Sequence, residues 1–150
     1  MFTAIQRIRV EWAHCDAAGI IFNPHYYIWM DNGTHALFRA AGFDLPRRIH
    51  EDRLFIGFPL VASNMAFKRP LRYGDIAELT SKVEKFGNTS FTVTHEFRLR
   101  DDQDPVARGN EVRVWAFSDQ VDTETMVVQR VPEEIRAMLS VNQTADTTVR

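Results

Sequence analysis

The chain contains 150 residues, of which 45% are hydrophobic and 25% are charged, and its formal net charge at pH 7 is −2. This composition is typical of one globular domain with a sizeable core, and it excludes a disordered chain. The small net charge gives no broad basic surface, so nucleic acid is not an expected partner.

The first element predicted along the chain is a strand over residues 8–12. Its apolar side chains Ile8, Val10 and Trp12 alternate with charged residues, which is the pattern of a strand with one buried face. The next residue of note, Cys15, is the only cysteine, so an internal disulfide bond is excluded and a reducing compartment is favoured. Because no segment has the length and hydrophobicity of a signal peptide or a membrane span, we expect a cytoplasmic protein without a membrane partner.

A long helix is predicted to begin at Asn23-Pro24. Asparagine suits the N-cap position and proline suits the first helical position. Apolar residues then recur at spacings of three and four as far as Ala41, and Gly42 follows as a helix stop. The sequence therefore predicts one long amphipathic helix early in the chain.

Beyond the loop of residues 43–57, the sequence predicts mainly strands. The strand patterns are "PLVASNMAFKRP", "DIAELTSKVEKF", "SFTVTHEFRLR", "EVRVWAFSD" and a short "TMVVQRV", and a brief helix is predicted over "PEEIRAML". One helix followed by long antiparallel strands predicts an α+β domain whose sheet curls around the helix. We expect this domain to cover residues 1–139, and we expect residues 140–150 to form a polar, frayed tail.

Asp16 is the first candidate for chemistry. It lies among small residues before the apolar run Ile20–Phe22, seven residues ahead of Asn23. The ordinary interpretation is a turn aspartate that the loop or solvent satisfies. However, the unsatisfied peptide N–H groups of a helix start can polarise a carbonyl oxygen. A carboxylate beside them would supply the two parts that acyl transfer needs, a base or nucleophile and an oxyanion site.

Other candidates are weaker. A Cys15 nucleophile with His14 as its base is disfavoured, because adjacent side chains on a strand point to opposite faces. A metal site at His14, Asp16 and His25 lacks the ligand spacing that is typical of zinc. We expect His95, on the apolar face of its strand, to be a hydrogen-bonded core residue.

Polar residues further along the chain have two possible interpretations. Asp31 shares a helix face with Tyr27 and Thr34, where a solvated acid is as good an interpretation as a site residue. Four basic residues are candidates to meet phosphate groups, although charge at a strand end is often ordinary surface. They are Lys68, Arg69, Lys85 and Arg100.

Four segments together resemble the 4-hydroxybenzoyl-CoA thioesterase family of hotdog-fold enzymes. The segments are "CDAAGIIFNPHYYIWMD", "GFPLVASNMAFKRPLRYGD", "SFTVTHEF" and "EVRVWAF", and the similarity runs from about residue 5 to residue 139. The most specific part is an acid followed by two small residues, a glycine, an apolar run and the N-P-x-Y helix start. Asp16 matches the catalytic carboxylate of that family.

The resemblance implies a hotdog fold, in which an antiparallel sheet of five or six strands wraps around one central helix. It implies a homodimer or homotetramer with the active site at the dimer interface. Asp16 would attack the thioester carbonyl carbon or activate a water, and the peptide N–H of Asn23 would polarise the carbonyl oxygen. Gly57, Phe58 and Asp31 would border the acyl group across the interface. No metal or cofactor is implied, since CoA enters only as part of the substrate.

The sequence departs from the family at three positions. Asn23 stands where the family shows a tyrosine, and Phe58 stands where the 4-hydroxybenzoyl enzyme has a threonine near the ring hydroxyl. The turn before Ser90 lacks the basic cluster of the family, so the CoA phosphates would be held by Lys68, Arg69, Lys85 or Arg100. We therefore expect an acyl-CoA thioesterase with an aromatic acyl group, such as 4-hydroxybenzoyl, favoured.

Two other functions stay open at the level of the sequence. One is a hotdog domain that binds acyl thioesters or assembles with partners without turnover, which would have no need of Asp16 beside the helix start. The other is a thioesterase that acts on an acyl carrier protein, which would favour a broad basic face. A net charge of −2 does not predict such a face.

Overall fold

The computed structural model describes residues 1–100, 102–121 and 125–149. In chain order the elements are β1 (Thr3–Arg9), α1 (Pro24–Ala40), α2 (Leu45–Glu51), β2 (Phe55–Gly57), β3 (Leu60–Phe67), β4 (Ile76–Phe86), β5 (Ser90–Leu99), β6 (Pro105–Val114), β7 (Ala116–Ser118), β8 (Met126–Val128), α3 (Glu133–Ser140) and β9 (Thr144–Asp146). A short 3-10 turn at Trp12–His14 lies between β1 and α1. None of the helices in these ranges is long and apolar enough to cross a membrane.

The main sheet has six strands in the order β3-β6-β5-β4-β1-β9, and α1 packs across one of its faces. All neighbouring strands are antiparallel except β9, which pairs in parallel with β1. A small sheet of β2, β7 and β8 lies apart from it. The predicted α+β arrangement of one long helix on a mainly antiparallel sheet is confirmed.

The period-two pattern of the long strands identifies the buried face correctly. Ala77, Leu79, Ser81 and Val83 of β4 are buried, and so are Phe91, Val93, His95 and Phe97 of β5. They face α1 and form two apolar clusters, one beneath each half of the helix. One contains Tyr26, Met30 and Phe97, and the other contains Phe38, Phe91 and Trp115. Between the two clusters, the middle of the helix faces the buried polar residues Ser81 and His95 of the sheet.

Two sequence-based expectations about strands are wrong. The first strand ends at Arg9, because the 3-10 turn at Trp12–His14 interrupts the alternation. Trp12 is therefore not buried: it is 72% exposed and meets Tyr73 edge to face, with the ring centroids 6.0 Å apart. The pattern "EVRVWAFSD" also forms two strands and not one, since Trp115 interrupts the strand between β6 and β7.

The expectation of a frayed tail also differs from the structure. Residues 144–146 form β9, whose parallel pairing with β1 extends the main sheet. The N–H of Thr147 donates to the carbonyl of Ile5 at 2.7 Å, and the N–H of Arg7 donates to Thr148 at 2.9 Å. A polar sequence favours disorder, but backbone hydrogen bonds to an open sheet edge do not require apolar side chains. Arg150 lies outside the described residues.

Gly33 allows α1 to approach the sheet closely. A Cβ atom at this position would lie 2.6 Å from Ser81 Oγ, 3.1 Å from Leu79 Cδ2 and 3.4 Å from His95 Nδ1. Ser81 Oγ is not free to move away, because it is hydrogen-bonded to His95 Nδ1 at 2.9 Å. A side chain at position 33 would therefore push the helix off the sheet.

Gly33→Ala should destabilise the protein although alanine is the better helix former. Overpacking of this kind costs about 1–3 kcal/mol, which outweighs the roughly 1 kcal/mol that alanine gains in helix propensity. Urea unfolding measures the net change. The loss should be smaller in a Ser81→Ala background, because that variant lacks the crowded oxygen; equal losses in both backgrounds would contradict the steric explanation.

Candidate functional site

Asp16 lies at the base of a tight loop between the 3-10 turn and α1. Its N–H donates to the carbonyl of Ile20 at 2.9 Å, and its carbonyl accepts from the N–H of Gly19 at 3.0 Å. Gly19 adopts a left-handed conformation with φ of 72°, which favours glycine. Cys15 pairs with Ile21 in an isolated antiparallel bridge, so the loop closes on itself and holds Asp16 opposite the residues that lead into the helix.

The carboxylate of Asp16 is exposed in the single chain. Its Oδ1 atom accepts a hydrogen bond of 2.8 Å from the N–H of Ala18, which is the Asx-turn contact of the ordinary interpretation. No other described residue contacts its side chain through a hydrogen bond or an ion pair. The local geometry therefore fixes one oxygen and leaves the other oxygen free to act on a ligand.

Asn23 precedes the first residue of α1, as the sequence predicts, but its side chain makes no capping hydrogen bond. Its backbone is already helical, with φ of −45° and ψ of −40°, whereas a capping side chain normally accompanies an extended backbone. Its N–H makes no hydrogen bond to another described residue. The prediction that Asn23 is the helix cap is thus correct in position and wrong in the side-chain contact.

The rings of His14 and His25 meet beside this helix start. Their centroids are 5.0 Å apart, and Trp29 lies 5.2 Å from the ring of His14. Burial lowers the pKa of His14, and the nearby charge of His25 lowers it further. Since His14 Nδ1 accepts the N–H of Glu11 at 3.0 Å, the proton of the neutral ring is on Nε2.

The structure does not support the other sequence candidates for chemistry at this end of the chain. The Sγ atom of Cys15 points to the carbonyl of Glu11 at 3.8 Å and not to His14. In residues 1–100, 102–121 and 125–149, no group of three or more His, Cys, Asp or Glu side chains is arranged to hold a metal ion.

A cavity of about 250 Å³ brings Asn23 together with Lys68 and Arg69. Tyr26 and Phe67 supply apolar walls of the same cavity. Arg69 donates to Asp102 at 2.8 Å, whereas Lys68 forms no ion pair with any described residue. Two of the four predicted phosphate-binding residues therefore lie beside the helix start, and Lys68 is the better placed of the two for a ligand.

The remaining predicted phosphate ligands do not lie together. Arg100 lines a separate polar cavity of about 430 Å³ with Asp75 and Asp102, at the same end of the sheet as Lys68. Lys85 and Ser90 lie at the opposite end of the sheet. The ten residues of β5 separate them from Arg100, a distance of about 30 Å at the usual rise of a strand.

Gly57, Phe58 and Asp31 lie away from the helix start. Phe58 turns its ring into the core, where it stacks on Phe38 with centroids 4.4 Å apart. Its carbonyl accepts from Arg113 Nη1 at 3.3 Å, and Arg113 Nη2 lies 2.5 Å from Asp31 Oδ1. Arg113 thus joins the Phe58 loop to the middle of α1.

Glu111 holds Arg113 from the other side. It is 1% exposed, and its Oε2 atom accepts from Arg113 Nε at 3.0 Å and from Thr34 Oγ1 at 2.6 Å. His95 Nε2 lies 3.4 Å from the same oxygen. Burial raises the pKa of Glu111, but the hydrogen bonds from His95 and Thr34 and the charge of Arg113 outweigh burial and keep its pKa below the ordinary value.

His95 is a hydrogen-bonded core residue, as the sequence predicts, whereas Glu111 and Arg113 are not among the residues that the sequence singles out. A signal for them was present. In "EVRVW", Glu111 and Arg113 alternate with valines and fall in phase with Trp115, on what the structure shows to be the buried face. Two opposite charges at adjacent inward positions of one strand indicate a buried ion pair.

Comparison with known proteins agrees with this architecture. A family model described as the thioesterase superfamily matches residues 18–106, and the chain belongs to this superfamily. 4-Hydroxybenzoyl-CoA thioesterase from Pseudomonas sp. (strain CBS-3) is 29% identical over 114 residues, which cover 74% of this chain and 81% of that protein. The family resemblance and the class of thioester hydrolase expected from the sequence are confirmed.

Two solved structures share the hotdog fold of this chain. A mutant of 4-hydroxybenzoyl-CoA thioesterase in complex with 4-hydroxybenzoyl-CoA superposes with a TM-score of 0.83 at 26% identity, covering 92% of this chain and 99% of that chain. A gentisyl-coenzyme A thioesterase superposes with a TM-score of 0.76 at 31% identity, covering 91% of this chain and 99% of that chain. The chain therefore has the hotdog fold over almost its full length.

Replacing Glu111 by Gln should destabilise the protein at pH 7 and change how stability depends on pH. Removal of one partner of a buried ion pair costs about 3–5 kcal/mol. Because the pKa of Glu111 is lowered in the folded state, its contribution is present above its unfolded pKa of about 4.3 and is lost as the pH falls further. Urea unfolding should show a gap between wild type and Glu111→Gln that narrows below about pH 4; a gap of constant size would contradict this assignment.

Proposed function

We propose that this protein hydrolyses an aromatic acyl-CoA to the free acid and CoA. One observation carries the proposal: Asp16 and Asn23 flank the same short loop, and neither the second carboxylate oxygen of Asp16 nor the N–H of Asn23 has a hydrogen-bond partner among the described residues. The superfamily membership and the 4-hydroxybenzoyl-CoA and gentisyl-CoA named for similar thioesterases support the substrate class.

The proposed reaction assigns one role to each group. Asp16 attacks the thioester carbonyl carbon, or removes a proton from a water that attacks it. In either route the C–S bond breaks and the thiolate of CoA leaves. If Asp16 is the nucleophile, water then hydrolyses the mixed anhydride, which releases the free acid and restores the carboxylate. The N–H of Asn23 donates to the oxyanion that develops on the carbonyl oxygen; such a directed donor is worth about 2.7–4 kcal/mol in a dry site. The two groups supply the parts of acyl transfer without a metal or a cofactor.

The phosphates of CoA need cations near this loop. Lys68 lines the cavity that contains Asn23 and has no ion-pair partner among the described residues, so we assign it the main role. Arg69 and Arg100 lie at the same end of the sheet and would assist. Lys85 and Ser90 lie at the other end of the sheet, so they would contact only a CoA molecule that is bound at the site of another copy.

A second copy of the chain would complete the site. β3 is an edge strand with eight residues, and Leu60, Val61 and Phe67 expose much of their apolar surface. An open edge of this kind favours pairing with another strand. If two copies pair β3 antiparallel about a two-fold axis, the Phe67 end of one chain meets the Leu60 end of the other. The helix start of one copy then lies beside Gly57, Phe58 and Asp31 of the other.

Asp16→Asn should abolish thiol release while the fold and CoA binding persist. The substitution keeps the shape but removes the charge and the basicity, and general-base assistance alone is worth about 10²–10⁴-fold. Release of CoA from benzoyl-CoA, 4-hydroxybenzoyl-CoA and aliphatic acyl-CoAs measures this loss. Turnover near that of the wild type would contradict the mechanism.

The matched control is Asn23→Ala, which keeps the backbone N–H. It should keep most of the turnover and should melt close to the wild type, because the side chain makes no capping bond. If Asn23→Ala folds but loses activity as completely as Asp16→Asn, the asparagine side chain acts in catalysis and the backbone assignment is wrong. Tight acyl-CoA binding without release of CoA by the wild type would instead favour a binding module.

Light scattering should find a dimer or a tetramer of the wild-type protein. Val61→Lys, which places a charge on the exposed β3 edge, should shift the protein towards monomer and reduce thiol release in parallel. The matched control is Val149→Lys, since Val149 is 80% exposed near the end of the chain and away from β3. A fully active monomer would contradict the two-copy site.

A further inference from the structure

A second cavity, of about 510 Å³, lies between the C-terminal half of α1, the start of α2 and the Phe58 loop. It is distinct from the cavity at Asn23. Arg39, which lines this second cavity, lies sixteen positions after Asn23 along the helix, and this separation corresponds to about 24 Å. An acyl group held at Asn23 could not reach it within one chain.

The walls of this cavity suit a flat aromatic ring. Phe38 and Phe58 stack with an interplanar angle of 26°, and Phe43 meets Phe38 edge to face with centroids 5.9 Å apart. Leu45 completes the apolar lining. A volume of this size with apolar walls and a few polar groups is typical of sites for small molecules.

The lining of the cavity includes one guanidinium group, that of Arg39, that is not in an ion pair with any described residue. Arg39 is exposed and forms no ion pair with any described residue. The next two arginines along the chain do form ion pairs, since Arg47 pairs with Glu51 and Arg48 pairs with Asp52. Asp44 also lines the cavity, but it makes no ion pair with Arg39, and its Oδ1 atom caps α2 by accepting from the N–H of Arg47 at 3.0 Å.

His35 is the other titratable group in the cavity. Its ring lies 5.0 Å from that of Phe58, and its Nε2 atom is 3.9 Å from Asp31 Oδ2. Burial lowers the pKa of His35, while the charge of Asp31 acts in the opposite direction. At neutral pH the ring is uncharged, so the positive charge in the cavity comes from Arg39.

We propose that this cavity receives the acyl group of a thioester bound at the partner copy's loop, and that Arg39 selects aromatic acyl groups with a second anionic substituent. This inference rests on the proposed function and on the two-copy arrangement. The Phe58 loop borders the cavity and leads directly into β3, so antiparallel pairing of β3 would bring this loop to the partner's helix start. The aromatic walls would hold the ring, and a carboxylate opposite the thioester would meet the guanidinium group of Arg39.

The proposal explains the role of Phe58. A phenylalanine cannot donate a hydrogen bond to a neutral hydroxyl, and its ring, which is 3% exposed and packs on Phe38 in the core, borders the cavity only at its surface. The guanidinium group of Arg39, further along the cavity, would then bind the anionic end of the acyl group. Arg39 would be a specificity-determining residue, and the reaction at Asp16 would be unchanged.

Two thioesters that differ in one charge test the inference: benzoyl-CoA and 4-carboxybenzoyl-CoA. In the wild type we expect kcat/KM to be higher for the charged thioester. Arg39→Gln should lower the ratio of the two kcat/KM values by about 10-fold or more, because it removes a charge-assisted hydrogen bond to the second carboxylate. Arg39→Lys should restore part of the ratio because it restores the charge.

Arg47→Gln is the matched control. Arg47 is a nearby exposed arginine that pairs with Glu51 and does not line the cavity, so its removal should leave the ratio as it is. A ratio that is the same in wild type and Arg39→Gln would overturn the inference while the thioesterase function stands. If the wild-type protein hydrolyses no acyl-CoA at all, the proposed function is wrong, and this inference is wrong with it.

Discussion

The buried ion pair between Glu111 and Arg113 is the interaction on which the rest of the structure depends. It lies between the two apolar clusters, where the middle of α1 crosses the sheet, and Thr34 joins it to the helix. Taking two charges out of water costs several kcal/mol per ion unless hydrogen bonds satisfy them. Here Asp31 and the carbonyl of Phe58 accept from the guanidinium group, and Thr34 donates to the carboxylate. The pair can be satisfied in only one position of the helix along the sheet, so it sets that position.

A fixed helix has consequences at both of its ends. Its N-terminal end carries the N–H of Asn23, which donates to no described residue, and the approach that Gly33 allows sets how far that N–H lies from the sheet. Further along, Arg113 ties Asp31 and the Phe58 loop to the same ion pair. The two regions that the proposed reaction needs are therefore held by one network, although a single chain keeps them apart. Two-fold pairing at β3 would bring unlike ends together without moving either.

The sequence predicted the fold well because its periodicities are strong. The alternation in β4 and β5 identified the buried residues, and Asn23-Pro24 marked the start of α1. The sequence does not predict features of the structure that depend on a single contact. The exposure of Trp12 depends on a 3-10 turn, and the order of residues 144–146 depends on an open edge of β1. Charge alone makes Lys85 and Arg100 candidates for the same phosphate groups, whereas the structure places them at opposite ends of the sheet. Glu111 and Arg113 were missed because charged residues are seldom expected to face a core.

The exposure of Asp16 in the single chain can be explained by the cost of burying a charge. A carboxylate buried in a single chain would need its own counter-charge, and in the folded monomer it would be costly without one. The loop of this protein instead keeps Asp16 at the surface, where the N–H of Ala18 orients it and water solvates the rest. Covering the loop with a second chain and a substrate would remove that water only when the thioester is in place. Electrostatic interactions with the developing oxyanion would then be strong at the moment they are needed, and the free chain would not bear the cost of a buried charge.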